Sequence, residues 1–148
     1  MPDSNLMLRF TATARNCLSL AQREAVLEKS TLIDVRHLLI GLAQLPAGDS
    51  TAGHVLSGLG VTAEKLRTTG KVETGEIAQL DLSDGLKKAL EQAAASARQR
   101  GDHKLSSAHL LTGCLVDTAA VEMLSQAGVT PEAITAALDS LETWTDEA

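Results

Sequence analysis

Aromatic residues are almost missing from this chain of 148 residues: Phe10 and Trp144 are the only two, and there is no tyrosine. A core without rings must be filled by Leu, Ala, Val and Ile, which the sequence supplies at 44% hydrophobic content. Leu and Ala are also strong helix formers, so an all-α protein is expected. Basic charge is scarce as well, with 13 Lys and Arg against 19 Asp and Glu and a net charge of −6. That balance argues against a nucleic-acid partner, which needs a concentrated basic face. The densest basic stretch, "RQRGDHK" from Arg98 to Lys104, is short and interrupted by Asp102. Long apolar runs are absent, so no membrane partner is expected. The opening "MPDSNLMLRF" has neither the charged nor the apolar region of a signal peptide. A cytoplasmic protein is the resulting expectation. The two cysteines, Cys17 and Cys114, form no metal-like pair in sequence.

What the sequence does contain is an internal repeat, the feature to seek before any other. One fixed shift carries Phe10 onto Leu82, Thr11 onto Ser83, Leu18 onto Leu90, Ala25 onto Ala97, and His37 onto His109. "HLLIGL" at His37 thereby meets "HLLTGC" at His109, and Gly41 meets Gly113. After a short deletion in the second copy, "GVT" at Gly60 meets "GVT" at Gly128. The expected organisation is one domain over 1–148, with repeat 1 at 10–69, a polar linker at 70–81, repeat 2 at 82–142 and an acidic tail at 143–148.

Each repeat reads as four helices. Thr11 and Ser83 suit the N-cap of a first helix, whose apolar positions recur at helical spacing. A second helix opens near Asp34 or Ser106 and carries the histidine phrase. A short third helix ends at Gly60 or Gly128, where glycine fits a left-handed terminus. Thr62 and Thr130 cap a fourth, with Pro131 tolerated in its first turn. The fold expected is an all-α, pseudo-twofold bundle of about eight helices, two tandem four-helix repeats sharing one core.

The paired histidines invite a chemical reading. His37 and His109 occupy equivalent places, so a pseudo-twofold axis would bring metal ligands together, but a metal also wants converging carboxylates or thiols. The spacing from Asp34 to His37 and from Ser106 to His109 matches a capping box, with imidazole in place of Glu or Gln. That structural role accounts for both residues. Cys17 and Cys114 align with apolar residues of the other copy, Ala89 and Leu42, as small buried hydrophobes would. No catalytic residue, metal or cofactor is expected.

The ordered pair of units resembles a known family. "FTATARNCLSLAQREA" (Phe10 to Ala25), "VRHLLIGL" (Val35 to Leu42), "LKKALEQAAASARQRG" (Leu86 to Gly101) and "AHLLTGCL" (Ala108 to Leu115) look like the N-terminal repeat domain of Clp-family AAA+ unfoldases, above all the ClpC and ClpA branch. The resemblance implies a non-catalytic interaction module that binds protein substrates, adaptors or a Clp unfoldase, acting in protein quality control. No G-x-x-x-x-G-K-[ST] phosphate loop is present, so the chain looks like a stand-alone or excised version of the domain. Its own initial methionine leans towards the former.

The resemblance also implies site residues. In the ClpC branch a glutamate just before the histidine, with a threonine opening the first helix, binds phosphoarginine. Here the hydroxyls stand at Thr11 and Ser83, whereas Arg36 and Ala108 replace the glutamates. A guanidinium carrying a phosphate needs an acidic partner for its cationic end, so this chemistry is not expected in either copy. The matching edge between the repeats accepts peptide-like natural products and partner proteins in that branch. Met7, Phe10, Leu80 and Leu82 would form it here, either as an adaptable apolar patch or as staples fixing the helix starts to the core. The rival readings are a metal-binding or enzymatic protein using His37, His109 and the cysteines, and an oligomerisation unit.

Overall fold

The computed structural model describes residues 10–28, 30–45, 50–66, 81–141 and 144. Among them are eight helices: α1 (Ala12–Leu27), α2 (Val35–Gln44), α3 (Thr51–Gly58), α4 (Ala63–Leu66), α5 (Asp84–Arg100), α6 (Ser107–Cys114), α7 (Thr118–Gln126) and α8 (Pro131–Asp139). Two short strands, β1 (Leu32–Ile33) and β2 (Asp81–Leu82), complete the elements. The chain is an all-α bundle of two tandem four-helix repeats. Met7, Leu80 and most of the expected linker lie outside the described residues, and Asp81, placed in that linker above, already belongs to β2.

The helix ends follow side-chain chemistry. Thr11 Oγ1 accepts from Ala14 N–H and Ser83 Oγ from Leu86 N–H, each at 3.0 Å. Ser50, Asp117 and Thr130 cap α3, α7 and α8 in the same way. Each such cap contributes about 1 kcal/mol. Gly60 and Gly128 end their helices at φ of 78° and 86°, a region that an L side chain rarely enters.

Within each repeat the first helix packs on the second, α1 on α2 and α5 on α6. Small residues allow the close approach. A Cβ on Gly41 would meet the Cys17 carbonyl oxygen at 2.9 Å, and one on Gly113 would overlap the Ala89 carbonyl. The core is accordingly aliphatic, with Leu38, Leu39, Leu42, Leu56, Leu86, Leu110, Leu111 and Leu124 nearly or fully buried.

The repeats are joined by reciprocal exchange. β1 of the first pairs in parallel with β2 ahead of the second, in the register Ile33 to Leu82. Phe10, at the start of the first repeat, bridges in parallel to Leu105 of the second. Thr11 N–H donates to the Leu105 carbonyl and Ser83 N–H to the Ile33 carbonyl, both at 2.9 Å. A buried hydroxyl adds a further tie: Ser107 Oγ lies 2.8 Å from Ser50 Oγ and accepts from Ala52 N–H at 3.1 Å. One shared core results.

Candidate functional site

The exchange creates two edges, each composed of both repeats. At one, the N-cap of α5 meets the start of α2. At the other, the N-cap of α1 meets the start of α6. The four positions named by the resemblance are thereby paired across the repeats, Arg36 with Ser83 and Ala108 with Thr11.

At the first edge Ser83 Oγ donates to Asp34 Oδ1 at 2.8 Å while capping α5. Asp34 in turn accepts from Val35 N–H at 2.9 Å. Partial burial pushes the Asp34 carboxyl up, but the bonds from Ser83 and Val35 and the positive charge of Arg36 outweigh it, so its pKa lies below the ordinary aspartate value. Arg36 reaches Glu28 Oε1 at 3.3 Å and Asp34 Oδ2 at 3.7 Å with a third of its side chain exposed. Glu28, Asp34, Arg36 and Ser83 thus make a half-exposed polar cluster. Leu32 is 41% exposed nearby in β1, an apolar side chain where the second copy has Lys104. That mismatch between copies is the signal of this site that the sequence itself carries.

The second edge is closed. Phe10, Thr11, Ser106 and Ala108 are all essentially without exposure. Ala108 offers no polar atom, and the Thr11 hydroxyl is turned onto its own helix. Leu82 also serves packing: it shares a strand face with Ile33 and lies partly buried against the core. Of the apolar residues expected at the inter-repeat edge, Phe10 is thus buried and Leu82 partly buried against the core.

Both histidines close a capping box. Asp34 N–H donates to His37 Nδ1 at 2.8 Å, and Ser106 N–H to His109 Nδ1 at 2.8 Å. A donor at Nδ1 leaves the ring proton on Nε2, which faces Glu28 Oε1 at 3.0 Å in one copy and Asp102 Oδ2 at 2.8 Å in the other. Each imidazole is buried with both nitrogens engaged, which leaves no lone pair for a metal. Among the described residues no group of three His, Cys, Asp or Glu side chains is placed to hold a metal ion. Cys17 and Cys114 are both fully buried, and the Cys17 thiol donates to the Leu38 carbonyl at 3.7 Å. Burial, with the Asp117 charge adding to it, pushes the Cys114 thiol far up, the opposite of what a nucleophile needs.

Comparison with known proteins gives one result. The family model for the Clp repeat (R) N-terminal domain matches residues 9–127 and 81–145. The negative regulator of genetic competence ClpC/MecB of Bacillus subtilis is 31% identical over 111 residues, which is 72% of this chain and 14% of that protein. The chain thus spans only a small part of such relatives. Among solved structures, the Hsp104 N-terminal domain of Candida albicans superposes with a TM-score of 0.76 at 15% identity, covering 93% of this chain and 97% of that one. A ClpV N-domain in complex with VipB peptide superposes at 0.65 and 15% identity, covering 97% and 96%. No described helix is long and apolar enough to cross a membrane.

Proposed function

The chain belongs to the Clp repeat (R) N-terminal domain family, and from that premise we propose that it is a non-catalytic protein-interaction module of a Clp unfoldase or protease system in the cytoplasm. Its partners are protein substrates, adaptors or the unfoldase itself, and peptide-like small molecules are a second ligand class for the same edge. The observation that carries the reading is the contrast between two equivalent edges on one backbone. Packing has closed the edge at Thr11 and Ala108. The edge at Ser83 keeps a half-exposed Arg36, an exposed Leu32 and carboxylates in reach of a ligand's N–H groups. A peptide needs that mixture: polar groups to orient its backbone and an apolar side chain to anchor it. The ClpV N-domain solved with a peptide supports a peptide-binding role for this fold. The engaged histidines and the buried cysteines support a module without chemistry of its own.

The test is association of the purified chain with a cognate Clp unfoldase and its substrates. Retention is expected, as is an effect on degradation by the Clp protease. Arg36→Gln should weaken binding about tenfold, the scale of one charge-assisted hydrogen bond, with the melting temperature little changed. No association and no effect on degradation would remove the proposal.

A further inference from the structure

Beside the second edge, the C-terminal end of α5 and the start of α6 carry a further constellation. Arg100 Nε donates to Asp102 Oδ2 at 3.1 Å, and its guanidinium carbon sits 3.8 Å from the centroid of the Trp144 ring. The ring is itself fixed. Trp144 Nε1–H donates to the Leu138 carbonyl at 2.9 Å, and the indole meets His109 edge-on at 5.4 Å between centroids. His109 returns to the same Asp102 oxygen at 2.8 Å. Arg100, Asp102, His109 and Trp144 close a ring of contacts, and with His103 and Lys104 the last three line a cavity of about 160 Å³.

Part of this arrangement is explained by structure alone. Arg98 and Arg100 lie in the last turn of α5, where cations offset the helix dipole. The dipole does not account for an arginine held from two sides, with an aromatic face beneath it and a carboxylate at Nε. Nor does it account for Lys104, which is exposed and lies beyond the helix. Asp102 is already matched by Arg100 and His109, so among the described residues the charge left over beside the cavity is the positive one of Lys104. It stands out on a chain of net charge −6.

We propose that this face docks an acidic peptide segment of a partner protein, with a carboxylate received by the terminal amino groups of Arg100 and a second acidic residue met by Lys104. The fork geometry of a guanidinium suits a carboxylate. Its fixation by Trp144 and Asp102 lowers the entropy lost when the ligand binds. The surface is separate from the edge at Ser83 and Arg36, so the two readings stand or fall independently.

Trp144 is the only tryptophan in the chain, which makes its emission a local probe. The full chain is titrated with a twelve-residue Glu/Asp-rich peptide and with its Gln/Asn counterpart. The acidic peptide is expected to change Trp144 emission saturably, and the change should weaken at least tenfold on raising salt from low to several hundred millimolar. Lys104→Gln, an exposed change that leaves the fold intact, should reduce affinity at least threefold, and Arg100→Gln more. Arg36→Gln should leave this titration unchanged. An equal response to the neutral peptide, unaltered affinity in both Arg100→Gln and Lys104→Gln, or equally tight binding of a single-stranded oligonucleotide would overturn the proposal.

Discussion

Thr11 and Ser83 begin the same helix in two copies of one unit, accept the same backbone bond, and border two quite different places. On the Thr11 side Phe10, Thr11, Ser106 and Ala108 are all buried. The Ser83 side holds Asp34, Arg36 and Glu28 in a part-exposed network. The backbone that both require is kept, down to the parallel bridge and the 2.9 Å bond that seats each helix start. Duplication therefore preserved what packing demands, and left the side chains facing outward free to diverge.

The strongest way to break this comparison is at its apolar members. Phe10→Ala removes a ring that is 1% exposed and should cost about 3–5 kcal/mol of stability, whereas Leu82→Ala, at the equivalent but half-buried position, should cost about 1 kcal/mol. Urea unfolding of the two variants measures the difference, and equal losses would mean that the two edges are packed alike. Next come the glycines. Gly113→Ala drives a methyl group into the Ala89 carbonyl, a tighter clash than Gly41→Ala makes with Cys17. Losses of about 2–3 and about 1 kcal/mol respectively are expected on the scale of core overpacking, and thermal melts giving the reverse order would contradict the packing described. The smallest effect is electrostatic. The folded pKa of Asp34 lies below its unfolded value near 3.8, so its contribution is fully present above that pH and disappears as pH falls through the folded value. Asp34→Asn should cost about 0.5 kcal/mol at neutral pH, as expected for a part-exposed group, and nothing once the pH is well below the folded value. A penalty that stays constant from pH 7 to pH 2 would show that the charge of Asp34 is not what matters.

Much of the architecture was readable from local signals. Caps at Thr11, Ser83, Asp34, Thr62 and Thr130, glycine stops at Gly60 and Gly128, and the shift that superimposes the histidine phrases need only neighbouring letters. What escaped was non-local or broke the repeat. The carboxylates behind the two histidines are Glu28 and Asp102, but under the repeat alignment Glu28 faces Arg100 and Asp102 faces Ser30. The two copies reach the same contact from different positions, so comparing them hides it. The exchange of short strands was invisible for another reason. Two-residue strands carry no periodicity, and their partners lie in the opposite half of the chain. Whether an edge is open or buried is not written locally either, because Thr11 looks the same in sequence whether its hydroxyl faces solvent or its own helix.

The exchange has a further implication for a single repeat standing alone. Without Leu105, the amide of Thr11 would lose its acceptor, and without Ser83 the carbonyl of Ile33 would lose its donor. Neither half can complete these bonds from within itself, and a buried backbone group left unpaired is costly. The complement each half requires is another half of the same shape. In that sense the protein is a homodimer written on one chain, its twofold axis preserved in the backbone while covalent linkage released the two subunits to acquire different surfaces.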